Sequence, residues 1–425
     1  MKASYYNFIY PLPGDGKQKV VYNSRTNAMA LLDELEAEYL QGNETAITSL
    51  NDSTIREMKE NGFLVGNDVV EIELIRENMF RCRYSDRQLG LTIAPTLDCN
   101  FRCIYCYEKE CEKGVVMSQD TCNKLVDFVQ QYAKSIDGLT ITWYGGEPLL
   151  AIGVIENLTK DFKRICEDND VSYCASIVTN GFLLDEKMLE RLVACDVSFC
   201  QITLDGNRDS HNTRRPHISG QNTFDTIIEN AKRAATQIDI AVRVNIDKTN
   251  MDAIYDVDKV INENNTHRIA VYPAPVQNED GCYLESKCLG NEEFYKYKQS
   301  FFFAGNDIQL VMSQYPRLVG NSCCADNRLS FVISPNGDLY KCWTDIGKKE
   351  YCVGNIIAGE FSEYNSIRYS IYDATRDERC VKCKYLPICM GGCPHDVIGK
   401  KEDRCLHAEE VHKELLLRVA ELLGA

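Results

Sequence analysis

The chain lacks any apolar run long enough to cross a membrane, and its first residues lack the apolar core of a signal peptide. A cytoplasmic location is expected. Nowhere does a basic run interleave with aromatic residues. Lys and Arg number 47 against 63 Asp and Glu, a formal net charge of −16, so nucleic acid is disfavoured as a partner. The acidic surplus favours solubility and would attract a basic peptide. No repeat of solenoid period is present. What abounds is cysteine, 21 residues in a chain of 425. In a reducing compartment so many thiols argue for metal centres rather than disulfides, and for an anaerobic or well-reduced cell, since thiolates and exposed clusters oxidise readily. The length predicts two or three domains, and an apolar content of 44% is ample for their cores.

Three cysteines crowd the stretch Cys99-Asn100-Phe101-Arg102-Cys103-Ile104-Tyr105-Cys106, just behind the β-prone run Leu89-Gly90-Leu91-Thr92-Ile93-Ala94. That order puts them on the loop leaving a strand. Soft thiolates select zinc, Cu(I) or iron–sulfur. Structural zinc and electron-transfer clusters normally take four protein ligands, whereas three at C-x3-C-x2-C suggest a cubane with one iron left open. Three reduced cysteines packed as small hydrophobes are the plainer alternative. The spacing resembles that of the radical S-adenosylmethionine (SAM) enzymes. The resemblance implies that Cys99, Cys103 and Cys106 hold a catalytic [4Fe–4S] cluster whose open iron is chelated by SAM, with Tyr105 among the cofactor-binding residues.

From Leu89 to about Ala274, strand-like runs (89–93, 139–144, 172–178, 197–204, 238–246, 268–272) alternate with helical patterns (118–135, 154–167, 185–194, 223–236, 252–264). Six strands joined by helical crossovers predict an α/β fold, a parallel sheet curled into a partial (β/α)6 barrel with ligands at the carboxyl ends of its strands. Those ends carry Gly145-Gly146-Glu147-Pro148, Thr179-Asn180-Gly181 and Thr203-Leu204-Asp205-Gly206. Glycines there let backbone approach a ligand closely. The first segment resembles the G-G-E-P of the radical SAM family, which binds the amino group of SAM. By the same resemblance Asn180 and Thr203 contact the ribose or methionyl part and Asp205 orients its neighbours. Arg214 or Arg215 reaches the SAM carboxylate, with Arg243 a further candidate. Cap and turn chemistry explains these residues without a ligand. His211 is as readily a surface residue, or one behind the site, as a ligand.

Residues 1–85 hold no cysteine motif. The β-prone segments Tyr5–Tyr10 and Lys19–Tyr22 flank Pro13-Gly14-Asp15-Gly16 and predict a hairpin. Asn23-Ser24 predicts the cap of a helix ending near Tyr39, and Asn51-Asp52-Ser53 a second cap, that helix being stopped by Asn61-Gly62. Phe63-Leu64-Val65 predicts a strand and Asp68–Arg81 a helix. A strand pair with about three helices resembles the winged-helix-like α+β elements that hold leader peptides of ribosomally made natural products. A packing or lid subdomain is the alternative.

Beyond about residue 315 come short strands, turns and dense cysteine. Cys324, Gly337 and Cys342, then Cys380, Cys383, Cys389 and Cys393, then Cys405 follow C-x(9–15)-G-x4-C, C-x2-C-x5-C-x3-C, C, the pattern of the SPASM extension of radical SAM enzymes. A zinc ribbon would want a second C-x2-C pair. The resemblance implies a second [4Fe–4S] cluster on Cys380, Cys383, Cys389 and Cys405 and a third on Cys324, Cys342 and Cys393. Cys323, Cys282 and Cys288 are candidates for the third cluster's remaining ligand; otherwise an iron stays open for a substrate thiolate. The expected division is a winged-helix-like subdomain over 1–85, the barrel over 86–280, a bridging helical region over 281–320 and a SPASM domain over 321–425.

The family implies an oxidoreductase in which an electron from an external donor, such as flavodoxin or ferredoxin, cleaves SAM to a 5′-deoxyadenosyl radical. SPASM relatives act mostly on peptides or proteins, among them thioether- and carbon–carbon-crosslinking enzymes, sulfatase maturases and quinone-cofactor maturases. Sulfatase maturases start close to their first cysteine motif and carry an acid directly after the cysteine that is here Cys342. In this chain a segment of about 85 residues precedes the strand that leads into the motif, and Trp343 stands at that position with Asp345 nearby. The reading is therefore a maturase that installs thioether crosslinks in a ribosomally synthesised precursor peptide bearing a leader. Carbon–carbon crosslinking and sulfatase-type oxidation of Cys or Ser are alternatives. A non-catalytic iron–sulfur peptide-binding protein is the alternative of a different class.

Overall fold

Gln88–Ile93, Gly138–Trp143, Ser172–Thr179, Val197–Thr203, Asp239–Ile246 and Ala270–Pro275 are six parallel strands, each paired with the next in chain order. Helices Gln119–Tyr132, Ile152–Asn169, Glu186–Ala194, Phe224–Ala234 and Ala253–Asn262 connect them, so the alternation read from the sequence is the partial (β/α)6 barrel. Leu91, Ile141, Ile177, Ile202 and Val244 are buried in the sheet, as strands covered on both faces require. A short helix the sequence did not suggest, Arg208–Arg214, stands in the fourth crossover, where the side chain of Asn207 caps it by accepting from Ser210 N at 3.1 Å.

This computed structural model describes the chain apart from residues 15–17, 44–49, 112, 305–307, 322, 401–403, 406–408 and 424–425, and apart from the side chains of 280 and 363. Residues 85–289 and 324–369 form one compact unit; residues 1–84, 290–323 and 370–425 form another. The four consecutive segments expected from the sequence thus regroup, and the cysteine-rich tail is shared between two cores. Its first part continues the barrel sheet. Ser330–Ile333 pairs in parallel with the first barrel strand, and Asp338–Tyr340, Gly354–Asn355 and Glu360–Phe361 follow antiparallel, giving ten strands. Lys341 fastens this extension: its Nζ donates to the carbonyls of Asn327 (2.6 Å), Arg328 (3.3 Å) and Ser330 (2.6 Å).

In the second unit, residues 1–84 form a three-stranded antiparallel sheet (Asn7–Pro11, Lys19–Asn23, Ala28–Leu32), a short pair of Lys2–Ala3 with Leu64–Val65, and helices Glu34–Leu40, Asp52–Glu60 and Glu71–Arg83. The turn expected at Pro13-Gly14-Asp15-Gly16 includes residues outside those described. Asn23-Ser24 does not cap a helix. The run Ala28-Met29-Ala30-Leu31-Leu32, helix-prone by composition, is instead the third strand. The Asn23 carboxamide decides this. Its Oδ1 accepts from the N–H groups of Arg25 and Thr26, both at 3.0 Å, closing a turn that ends at Asn27 with φ 63°. Its Nδ2 donates to Ser4 Oγ (2.9 Å), Asn7 Oδ1 (2.8 Å) and Gly62 O (3.1 Å). Leu32 then packs with Val21, Leu40, Met58 and Phe63, and Asp33 with Glu36 makes the capping box of the next helix. The C-terminal helix Glu409–Leu422 sets His412 among Phe8, Tyr22 and Tyr385. All 21 cysteines carry free thiols. Among the described residues no helix is long and apolar enough to cross a membrane.

Replacing Asn23 with Ala leaves several buried polar groups without partners and should destabilise the N-terminal unit by about 2–3 kcal/mol. Urea unfolding measures this; a loss below about 0.5 kcal/mol would remove Asn23 as the determinant of the hairpin.

Candidate active site

The loop leaving the first barrel strand carries Cys99, Cys103 and Cys106, and neighbouring segments clamp it along its length. Its start lies on Gly145-Gly146: Gly146 N donates to Thr96 O (3.3 Å) and Glu147 N to Asp98 O (2.8 Å). A Cβ on Gly145, where φ is 110°, would meet Thr96 O at 2.4 Å; one on Gly146 would meet Asp98 O at 2.3 Å. These glycines therefore serve the close approach of the cysteine loop's own backbone, where the sequence reading had assigned the closeness to a ligand. The middle of the loop pairs antiparallel with residues 214–218, through Arg102 N to Pro216 O (2.8 Å), Ile104 N to Arg214 O (3.0 Å) and Ile218 N to Asn100 O (2.9 Å). Beyond Cys106, Lys113 Nζ donates to Leu97 O (2.8 Å) and Glu108 O (3.0 Å).

The strand ends hold the loop from beneath. Glu147 is fully buried. Its Oε1 accepts from Leu149 N (3.1 Å) and Thr179 Oγ1 (2.7 Å), and its Oε2 from Asn180 N (2.8 Å). Burial pushes this carboxyl group up, and those hydrogen bonds oppose the shift. Pro148 opens the short 3-10 turn that Glu147 caps. Asn180 Nδ2 donates to Asn100 Oδ1 (2.8 Å) and so ties the third strand to the cysteine loop. The Tyr105 hydroxyl is a hub: it donates to Asp205 and accepts from Arg215 Nη1 (2.8 Å) and Asn245 Nδ2 (2.9 Å). Arg214 lies between Asp205 (3.5 Å) and Asp247 (2.8 Å). Thr203 is buried at the end of the fourth strand.

His211 is not a surface residue. It is fully buried, its Nδ1 accepts from Asp205 N at 3.3 Å, and burial holds its pKa down to about 3, so the ring is neutral. Arg243 reaches Tyr105 only at one remove, through Asn245 Oδ1 (2.9 Å). Asn245, Asp247 and Tyr283, whose hydroxyl donates to Asp247 (2.7 Å), were not legible in the sequence, because no spacing links them to the motif.

The donor set fits a cluster with a polar ligand. Burial raises the thiols of Cys99 and Cys106 to about 12 and that of Cys103 upward too; bound iron stabilises thiolates in such surroundings. Asn100 Nδ2, Asp205 Oδ1, Arg214 Nη2 and Arg215 Nε are buried and, among the described residues, have no hydrogen-bond partner. Buried polar atoms are normally satisfied, so this group suits a polar, charged ligand beside the cysteines.

In the second unit, Cys380, Cys383, Cys389 and Cys405 lie close enough for their charges to interact. Burial raises Cys380 to about 11, Cys389 to about 12 and Cys383 upward, with smaller contributions from Asp377 on Cys380 and from the cysteines on one another. Arg404 pairs with Asp377 and so brings Cys405 back beside the turn of Cys380. Met390, Gly391 and Gly392, at φ 51°, 87° and 83°, reverse the chain between Cys389 and Cys393. Cys324 and Cys342 belong to the barrel unit, whereas Cys323 and Cys393 belong to the other. Cys282 lies with its sulfur 3.5 Å from Tyr105 O, and Cys288 packs beside it, which places both at the first cysteine loop. Trp343 packs on Tyr144 with ring centroids 4.6 Å apart. Asp345 is buried and accepts from Tyr369 Oη at 2.7 Å.

The profile of the radical SAM superfamily matches residues 93–260. The chain carries a radical SAM domain across those residues. It is similar to the cysteine-type anaerobic sulfatase-maturating enzyme of Clostridium novyi, 25% identical over 334 residues that cover 72% of this chain and 88% of that one. The serine-type anaerobic sulfatase-maturating enzyme of Klebsiella aerogenes is 23% identical, over 70% and 77% of the two chains. Among solved structures, native anSMEcpe with bound AdoMet matches with a TM-score of 0.59 at 18% identity, covering 79% of this chain and 100% of that one. Streptococcus suis SuiB bound to S-adenosylmethionine matches at 0.54 with 16% identity, covering 96% and 99%.

Gly146→Ala forces the cysteine loop off the second strand end and should cost about 1–3 kcal/mol. Glu147→Gln turns an amide donor toward a donor and should cost a similar amount, about 1–3 kcal/mol. Gly153→Ala, where a Cβ meets nothing within 4 Å, is the control. Thermal unfolding of all three decides; equal melting temperatures would show that the loop does not depend on this contact.

Proposed function

We propose that this enzyme matures a ribosomally synthesised precursor peptide by installing thioether crosslinks from cysteine side chains. The observation that carries the reading is the reach of the structural likeness. SuiB, captured with its precursor peptide SuiA, matches over 96% of the chain, the N-terminal α+β subdomain included, whereas anSMEcpe matches over 79%. The half-exposed edge strand Ala28–Leu32 suits capture of an extended leader by strand addition. Sulfatase-type oxidation is the second reading, favoured by the names of the sequence relatives. Against it stand Trp343 after Cys342 and the engagement of Asp345 by Tyr369.

In this proposal Cys99, Cys103 and Cys106 hold the SAM-binding [4Fe–4S] cluster. Tyr105, Thr203, Asp205 and Arg215 line the place of SAM, and Gly145-Gly146 offer backbone there, since the Glu147 carboxylate is turned to Leu149, Thr179 and Asn180. When bound, the cluster and SAM supply a 5′-deoxyadenosyl radical after transfer of an electron from a donor such as flavodoxin or ferredoxin. The chain's own residues position these groups and exclude water from them. Cys380, Cys383, Cys389 and Cys405 hold a second cluster, and Cys324, Cys342 and Cys393 a third, with Cys323 the candidate for its remaining position.

Each crosslink removes two hydrogens from the peptide: one passes as an atom to the radical and should appear in 5′-deoxyadenosine, while the thiol's leaves as a proton and the remaining electron would go to one of the clusters of the tail cysteines. A precursor deuterated at the acceptor residue should therefore give deuterated 5′-deoxyadenosine, and thiols should disappear one for one with bonds formed. If every thiol stays titratable, carbon–carbon crosslinking replaces the thioether reading; an aldehyde at one Cys or Ser replaces it with the sulfatase type. Iron analysis after anaerobic reconstitution should give about 12 irons per chain. Replacing Cys99, Cys103 and Cys106 together with Ala should remove about a third of that iron and all SAM cleavage. Iron near four per chain with full SAM turnover would overturn the assignment of the tail cysteines.

A further inference from the structure

Away from the barrel, the unit of residues 1–84, 290–323 and 370–425 holds a half-open cavity of about 160 Å³. Tyr295, Phe303, Ile388 and Leu415 give it apolar walls, and Lys298 and His412 are among its polar lining. Lys298, on helix Asn291–Phe303, is the unusual member. Its ammonium lies 6.0 Å from the centre of the Tyr295 ring and 5.8 Å from that of Phe302. Among the described residues no carboxylate pairs with it. Two positions earlier, Lys296 sits 2.9 Å from Glu292 and 3.8 Å from Glu410 in solvent.

Burial pulls the Lys298 pKa down, and among the described residues no anion offsets that pull. Ring faces attract a desolvated cation but do not replace a counter-ion. The space is of the right size for one aromatic ring or branched aliphatic group, since a cavity of roughly 150 Å³ accepts benzene. The chain as a whole carries a net charge of −16 and would repel anions, so an anion bound here must be held locally.

We propose that this cavity binds a carboxylate on a small apolar body, with the carboxylate at Lys298 Nζ and the apolar part among Tyr295, Phe303, Ile388 and Leu415. The ligand is either the C-terminal residue of a peptide or a free aryl- or alkyl-carboxylic acid, which share this chemistry. Ile388 directly precedes Cys389, whose charge reaches the Tyr295 hydroxyl, so the occupant sits beside the four-cysteine turn. The site does not depend on the crosslinking proposal.

Calorimetric titration of the full chain with 3-phenylpropionate and with its neutral twin, 3-phenylpropionamide, tests this. The acid should bind at least about tenfold more tightly than the amide. Lys298→Met should abolish that preference, Lys298→Arg should retain most of it, and a thermal melt of each variant shows that it is folded. Equal binding of acid and amide, absence of saturable acid binding, or a preference that persists in Lys298→Met would overturn the assignment. Acetyl-Gly-Gly-Leu with a free C-terminus is then compared with 4-methylpentanoate. Tighter binding of the peptide assigns the ligand to a peptide terminus, and tighter binding of the acid assigns it to a free carboxylic acid.

Discussion

The backbone of Thr96 to Asp98 rests on the backbone of Gly145 and Gly146 with no room for a side chain between them. From that contact follows the course of the cysteine loop. Glu147 holds the second strand end to the third, Asn180 ties the third to Asn100, and Tyr105 gathers Asp205, Arg215 and Asn245 from the fourth and fifth. The three thiols are thus fixed by several strand ends at once rather than by the loop's own conformation. Sites that must hold ligand atoms to within a fraction of an ångström are built this way, on rigid elements with the supporting hydrogen bonds behind them.

The electrostatics of the two cysteine sets have one cause and two settings. Burial raises the thiols in both. Around the barrel set the chain adds the guanidinium groups of Arg214 and Arg215, with polar atoms that protein partners do not satisfy. Set beside the thiols, such atoms suit a ligand that supplies the missing partners. The tail set instead has Arg404 already paired with Asp377, an arrangement that brings segments of chain together and leaves that guanidinium committed to the fold. His211, neutral beneath Asp205, adds position without charge.

The cysteine-rich tail shows how one sequence pattern is divided by packing. Residues 324–369 extend the barrel sheet because Ser330–Ile333 finds the open edge of the first barrel strand. Residues 370–425 belong to the core of the N-terminal subdomain, where Tyr6 and Met79 meet Leu386 and Met390. Cys380, Cys383, Cys389, Cys393 and Cys405 thus fall in one unit, and Cys324 and Cys342 in the other.

Strand and helix order in the barrel, the cysteine spacings and the strand-end motifs were legible in the sequence, because each is a local pattern: period, punctuation by glycine, or ligand spacing. The helix cap at Asn51 was legible for the same reason. Ala28–Leu32 was not, since its residues favour a helix and the turn made by the Asn23 side chain overrides them through contacts with Ser4, Asn7 and Gly62. Nor were Asp247 and Tyr283, nor the contact of Asn245 with Tyr105 and the pairing of residues 214–218 with the cysteine loop, which join segments more than about a hundred residues apart along the chain. The role of Gly145 and Gly146 was legible as a need for closeness, but what comes close was not. Side-chain chemistry and spacing set which groups the chain brings to the strand ends. Which of them meet, and which are left to a ligand, was decided only by the tertiary fold, because hydrogen-bond satisfaction in a buried site depends on partners that sequence distance does not order.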